Sequence, residues 1–282
     1  MKFNITILII LICVFSSFGQ SKKPIKKSVN KTETYQAFKE KEFDLNAVSL
    51  PPNYKGNNFH SLLMEISNRS LSPQNEKDEF ETQAQFNQRI SKLQNAPFKS
   101  GLNKNSLYGF VLPDAGFSVK YHPELEAFQI NVELYKMQNC KDSTEFWWIC
   151  KSLVMYYKFT EEGNYIAENA FGAKTLVKKE HFLFSLLEIS GSDSLKPNRP
   201  DRYFFALDAK PEIARTLKPQ LAVVAIGRLA ENPIGADVIK VAPTRDSPID
   251  SKTNYLNLQF NLYSFWLFNK RTGEIYEKLQ PE

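Results

Sequence analysis

Cysteine and histidine are scarce in this chain of 282 residues, with 3 of each, and glycine is held to 11. So few cysteines exclude a disulfide-dense scaffold, and glycine at this level without a three-residue period excludes a collagen-like fibre. Three histidines leave little material for metal binding or for acid–base chemistry near neutral pH. There is no G-x-S-x-G elbow, no phosphate-cradling G-x-x-x-x-G-K-S/T, no H-E-x-x-H, no C-x-x-C pair and no loop of EF-hand spacing. These gaps count against the common enzymes, while a site assembled from carboxylates distant in sequence stays open. At 42% hydrophobic and 24% charged, the chain has ample material for a core and is too polar for a polytopic membrane protein.

A surplus of positive charge is also missing from most of the chain. The formal balance of +5 comes from 36 Lys+Arg against 31 Asp+Glu, but Lys22, Lys23, Lys26, Lys27 and Lys31 crowd together. Setting aside these five and Lys2 leaves 30 basic residues against 31 acidic, a balance of −1. The basic charge is a tail and not a face, so nucleic acid is excluded as the expected partner.

At the start of the chain, Lys2 precedes an apolar run from Phe3 to Phe18, and Ser17 and Gly19 are small enough for a signal peptidase. Residues 1–19 therefore read as a secretory signal peptide cleaved between Gly19 and Gln20, and the protein as exported to the periplasm or beyond the cell. An uncleaved anchor is the alternative, against which the run falls short of the ~20 residues a spanning helix needs. A lipid attached at Cys13 would require a small residue where Ile12 stands. Cleavage leaves Cys140 and Cys150, an even pair in an oxidising compartment, which predicts a disulfide; two buried free thiols are the alternative.

Residues 20–34 are rich in Lys, Ser and Asn and read as a flexible tether. Residues 35–98 read as a helical segment: Asn57 or Asn58 caps a helix with Phe59, Leu62, Leu63 and Ile66 on one stripe, and a second carries Phe80, Ala84, Phe86, Ile90 and Leu93. Residues 99–282 then switch to alternation, with Phe117, Val119 and Tyr121 answered by Phe128, Ile130 and Val132 across a turn at Pro123, and Leu256, Leu258, Phe260 and Leu262 near the end. A short helix capped by Asp208 and a loop over Val241–Lys252 interrupt this body. The expected class is α+β: N-terminal helices followed by a largely antiparallel β body with one short helix.

Three stretches carry a resemblance: Glu76–Thr82 with Phe86 and Arg89, Glu168–Lys174 (Glu-Asn-Ala-Phe-Gly-Ala-Lys), and Ile213–Lys218 leading into the strand at Leu221. Together, across roughly residues 76 to 230, they resemble a group of exported bacterial proteins to which no activity is assigned. The resemblance implies a location in the bacterial envelope and carries over no functional residue; in it, the second stretch is a strand and the other two are helices.

The chemistry-bearing residues read blandly. His122 near Glu124 and Glu126 reads as a turn residue, His181 beside Glu180 as a strand entry, and His60 as partly buried on the first helix. Asp193-Ser194-Leu195 ends like a lipase motif, but Ser192 separates Gly191 from Asp193 and no histidine follows His181. No cofactor and no metal site is expected. The positive feature is aromatic: Trp147 and Trp148, Tyr156 and Tyr157, Tyr203, and Trp266 stand in runs that put rings on both faces of their strands. Either both faces are covered, or one exposes a patch for a partner, with Trp147, Trp148, Tyr203 and Trp266 as candidate binding residues. The expected function is a non-enzymatic binding module for an envelope protein or polysaccharide, touching membrane only through the leader or tether. A hydrolase of an envelope polymer working through paired carboxylates is the alternative. Sequence leaves the oligomeric state open.

Overall fold

Hydrophobic alternation extends much further than the sequence reading allowed, and four strands of 17 to 21 residues dominate the chain: β5 (Ile149–Glu168), β6 (Lys174–Ser190), β8 (Leu221–Val241) and β9 (Ile249–Asn269). The computed structural model describes residues 39–138, 149–190 and 202–279. The other strands are β1 (Tyr108–Val111), β2 (Phe117–His122), β3 (Ala127–Glu133), β4 (Tyr135–Gln138), β7 (Arg202–Asp208) and β10 (Ile275–Leu279). Three helices accompany them: α1 (Phe59–Ser70), α2 (Gln83–Asn95) and α3 (Pro211–Leu217).

The α+β expectation is corrected by this inventory. Strands occupy 51% of the described residues and helices 21%, so the fold is mostly β. Its main sheet is also mixed: the order is β1-β8-β9-β6-β5-β4 with β10 on β9, and β6 runs parallel to β9 from Lys178↔Ile249 to Ser190↔Asn261. Two long antiparallel hairpins, β5/β6 and β8/β9, lie side by side, and alternation along a strand carries no information about which way a distant strand will run beside it. β5 carries a bulge at Gly163, and the loop expected over Val241–Lys252 shrinks to residues 242–248. Asp208 ends β7 instead of capping α3, whose N-cap is Lys210 without a side-chain bond.

A second sheet, β2-β3-β7, is antiparallel throughout. Its apolar face brings Phe128, Ile130 and Val132 into line with Tyr203, Phe205 and Leu207, and packs them against Leu187, Leu258, Phe260 and Phe265 of the large sheet. The same core takes the stripe of α1, with Phe59, Leu62, Leu63 and Ile66 all buried and Asn58 accepting from the Ser61 N–H as its cap. α2 carries a capping box from Thr82 and Gln85 but buries none of its residues, and Phe80 precedes the helix at 87% exposure. Its position is held instead by Arg89, which donates to both carboxylate oxygens of Glu81 and to the carbonyls of Gln74 and Glu76.

The opposite face of the large sheet is covered only at its base. Residues 43–54 lie across it, placing Phe43 5.0 Å from the Trp266 ring and Tyr54 6.1 Å from Phe268. The Leu50 N–H donates to the Gly273 carbonyl, and at Gly273 (φ +82°) a side chain would run into the Leu50 carbonyl. Residues Ala37–Glu282 form one compact unit. No helix among the described residues is long and apolar enough to cross a membrane.

Candidate functional site

The base of β8 and β9 is covered on both sides, and the outer part of the sheet is not. Leu153, Leu187, Leu258 and Phe260 are fully buried; three to six residues further along, the sheet is four strands wide and open. Pairing registers place Tyr157, Phe184, Tyr255 and Asp237 in one row across it, with Phe159, Phe182, Thr253 and Ile239 in the next on the same face. The rings touch: Tyr157 to Phe184 at 4.9 Å, Phe159 to Phe182 at 5.1 Å, Phe184 to Tyr255 at 5.3 Å, and Tyr135 of β4 to Phe184 at 6.2 Å. Tyr157 and Phe159 are nevertheless 49% and 45% exposed. Burial, helped by the bond to Tyr135, pushes the Tyr255 phenol up to about 12.

The edge of this region is as unusual as its face. β4 pairs with β5 only from Ile149 to Ser152, so from Leu153 to Glu168 the outer edge of β5 meets no backbone partner among the described residues. β8 also has an open edge beyond Arg228, but there Pro233 removes a donor within an irregular stretch from Leu229 to Ile234. β5 carries Tyr156, Tyr157 and Phe159 beside its open edge, with Lys158 among them and Glu161 and Glu162 following before the bulge at Gly163.

Tyr203 and Trp266 are fully buried. Tyr203 packs 4.8 Å from Phe265, and burial pushes its phenol up to about 12. Trp266 lies between Phe43 and the Lys278 ammonium, which sits 3.8 Å from its ring centre, so both side chains are part of the core. Trp147, Trp148 and Cys140 lie outside the described residues, as do the leader, the tether and the Asp193-Ser194-Leu195 stretch. The Cys140–Cys150 bridge therefore falls outside them too; the backbone of Cys150 stands opposite Met137 in the β4–β5 ladder.

The histidines occupy three unlike places. His60 is exposed, 6.1 Å from the Tyr156 ring, and was expected to be partly buried. His122 ends β2 with Nε2 3.1 Å from the Gln129 side-chain oxygen. His181 sits in the sheet with Nδ1 3.1 Å from Glu162, while Asn254 donates to Nε2 at 2.9 Å. Both ring nitrogens are thus occupied, and the arrangement ties β5, β6 and β9 together. Among carboxylates, Glu161 and Glu180 stand directly opposite each other in the β5–β6 ladder, on the open aromatic face. No wall closes over them among the described residues, and no three His, Cys, Asp or Glu there could hold a metal ion.

The stretches that carry the resemblance map onto three surface features. Glu76–Thr82 leads into the cap of α2, and Ile213–Lys218 is most of α3. Glu168–Lys174 is the β5–β6 turn and not a strand. A scan against protein-family models and searches of curated proteins and of solved structures find no match to this chain.

Proposed function

We propose that this protein is an exported, non-enzymatic interaction module, and that it binds an extended polypeptide segment of a partner as an added strand on β5. The observation that carries the proposal is the unpaired edge of β5 from Leu153 to Glu168 among the described residues, lined on alternating faces by exposed Tyr156 and by Tyr157 and Phe159. A row of free N–H and C=O groups is complementary to another strand, and the alternating side chains beside it supply the specificity. A polysaccharide would use the rings but has no counterpart to the backbone ladder. The signal-peptide pattern of residues 1–19 and the resemblance read from the sequence favour a partner in the envelope.

The test is a photo-crosslinking residue at Tyr157 in cells that make the protein, with the same probe at the exposed Lys120 of β2 as control. A discrete adduct specific to Tyr157, lost with Phe159→Lys and mapping to an extended segment of the partner, is the expected result. Identical adduct patterns at the two positions would sink the reading.

A further inference from the structure

Beyond the open face, the β5/β6 hairpin continues alone. The β6–β9 pairing ends at Lys178↔Ile249, so Asn164–Glu168 and Lys174–Val177 form a two-stranded finger with no third strand beside it among the described residues. Two strands alone are marginal in water, and this pair buries Val177 but leaves its other large apolar side chains exposed. Ile166 stands opposite Leu176, both exposed, and Phe171 at the apex is 95% exposed.

The backbone of the apex is unusually self-contained. Asn169 Oδ1 accepts from the N–H groups of Phe171 and Ala173, the Asn169 carbonyl accepts from the Gly172 N–H, and the Asn169 N–H donates to the Ala173 carbonyl. Gly172 holds φ +80°, with nothing closer to a would-be Cβ than Glu168 Oε1 at 3.8 Å, so glycine is required by conformation and not by space. The charges at the end of the finger, Glu168 and Lys174, face each other at 3.6 Å. Four of the five N–H groups of residues 169–173 are thus bonded within the turn, which lowers the desolvation cost of entering an apolar medium. Behind it lie Lys178 and Lys179, at about 13–16 Å along the strand by the usual rise per residue. Residues 163–179 carry Lys174, Lys178 and Lys179 against Glu168, a balance of +2, with Glu161, Glu162 and Glu180 following immediately behind the lysines; Asp250, bonded to the Tyr165 hydroxyl at 3.3 Å, pairs with Lys179 across the β6–β9 ladder.

We infer that this finger docks on an anionic lipid surface, with Phe171, Ile166 and Leu176 entering the interface and Lys174 and Lys178 meeting the headgroups. The apolar apex backed by basic residues suits a bilayer better than a protein groove, and the inference rests on the apex side chains, although Asn164–Glu168 is also the far end of the β5 edge.

The experiment is partition of the mature protein onto vesicles of phosphatidylcholine alone and of phosphatidylcholine with 30% phosphatidylglycerol, read by flotation. The expected result is binding to the anionic vesicles only, weakened roughly ten-fold or more by Phe171→Asp, which withdraws a whole aromatic side chain from the interface. Lys178→Glu is expected to weaken it by a smaller factor that vanishes at high salt. Since Phe171 touches little else, unchanged thermal unfolding of the variant shows that the fold is intact. No binding by the parent protein overturns the inference. So does binding that Phe171→Asp leaves unchanged, which would assign attachment to the lysines of residues 22–31. Equal binding to both vesicle types overturns the part played by charge.

Discussion

The same two hairpins are built differently at their two ends. At the base, β5, β6, β8 and β9 are covered on one face by β2-β3-β7 and α1, and Leu221–Ile226 of β8 with Phe265–Phe268 of β9 are covered on the other by residues 43–54 and are apolar whichever way they point. Further out, Tyr157, Phe159, Phe182 and Phe184 cluster on a face that nothing covers among the described residues, and the edge of β5 is unpaired. Aromatic residues serve stability in the first region. In the second their exposure costs solubility, which a chain tolerates where the surface has a use. The proposed binding edge lies in the outer half of the hairpins.

Substitutions should separate the halves most clearly. Phe260→Ala at the base is expected to cost about 3–5 kcal/mol in denaturant unfolding, as for other fully buried rings, and Phe159→Ala in the outer half under about 1 kcal/mol. Equal costs would show that the outer half is packed as tightly as the base. Gly273→Ala, which drives a side chain into the Leu50 carbonyl at positive φ, is expected to cost about 2–3 kcal/mol and to loosen the cover over Trp266, read as a change in tryptophan fluorescence. Native-state hydrogen exchange should show amides of Asn164–Val177 opening well before those of Leu221–Ile226. A single exchange rate across both would mean the finger unfolds only with the whole.

The smallest effect concerns Glu277 of β10, which burial holds above the usual carboxylate range and whose Oε2 has no partner. With its folded pKa raised, the folded state binds the proton more readily than the unfolded one, so stability falls as pH rises through that raised value. Glu277→Gln is therefore expected to raise stability at neutral pH by at most about 1 kcal/mol, a gain that disappears as pH drops toward ordinary carboxylate values. A gain unchanged at acid pH would remove the titration from the account.

Local pattern was legible where one element buries one face. The α1 stripe and its Asn58 cap, and the β2–β3 hairpin around Pro123, could be read from spacing because a single period decides which side chains go inside. It misled at α2, where the stripe from Phe80 to Leu93 stays at the surface: a period shows that a face is apolar and not that anything packs on it. Aromatic runs read as candidate binding surfaces were of two kinds. Tyr203 and Trp266 are core, whereas Tyr156 and Tyr157 border an open edge, and the difference depends on residues 43–54 and β7, far away in the chain.

By itself, then, the sequence determined the local pieces: the apolar periods, the caps, the turn at Pro123 and a basic charge confined to residues 2–31. Only the tertiary structure decided that β6 and β9 run parallel, that the long hairpins outreach their cover, and that β5 ends up at an edge. Side-chain period is set by neighbours one to four residues apart, while sheet order, coverage and edges are set by segments far apart in the chain, as with Lys178 and Ile249, 249 − 178 = 71 residues apart.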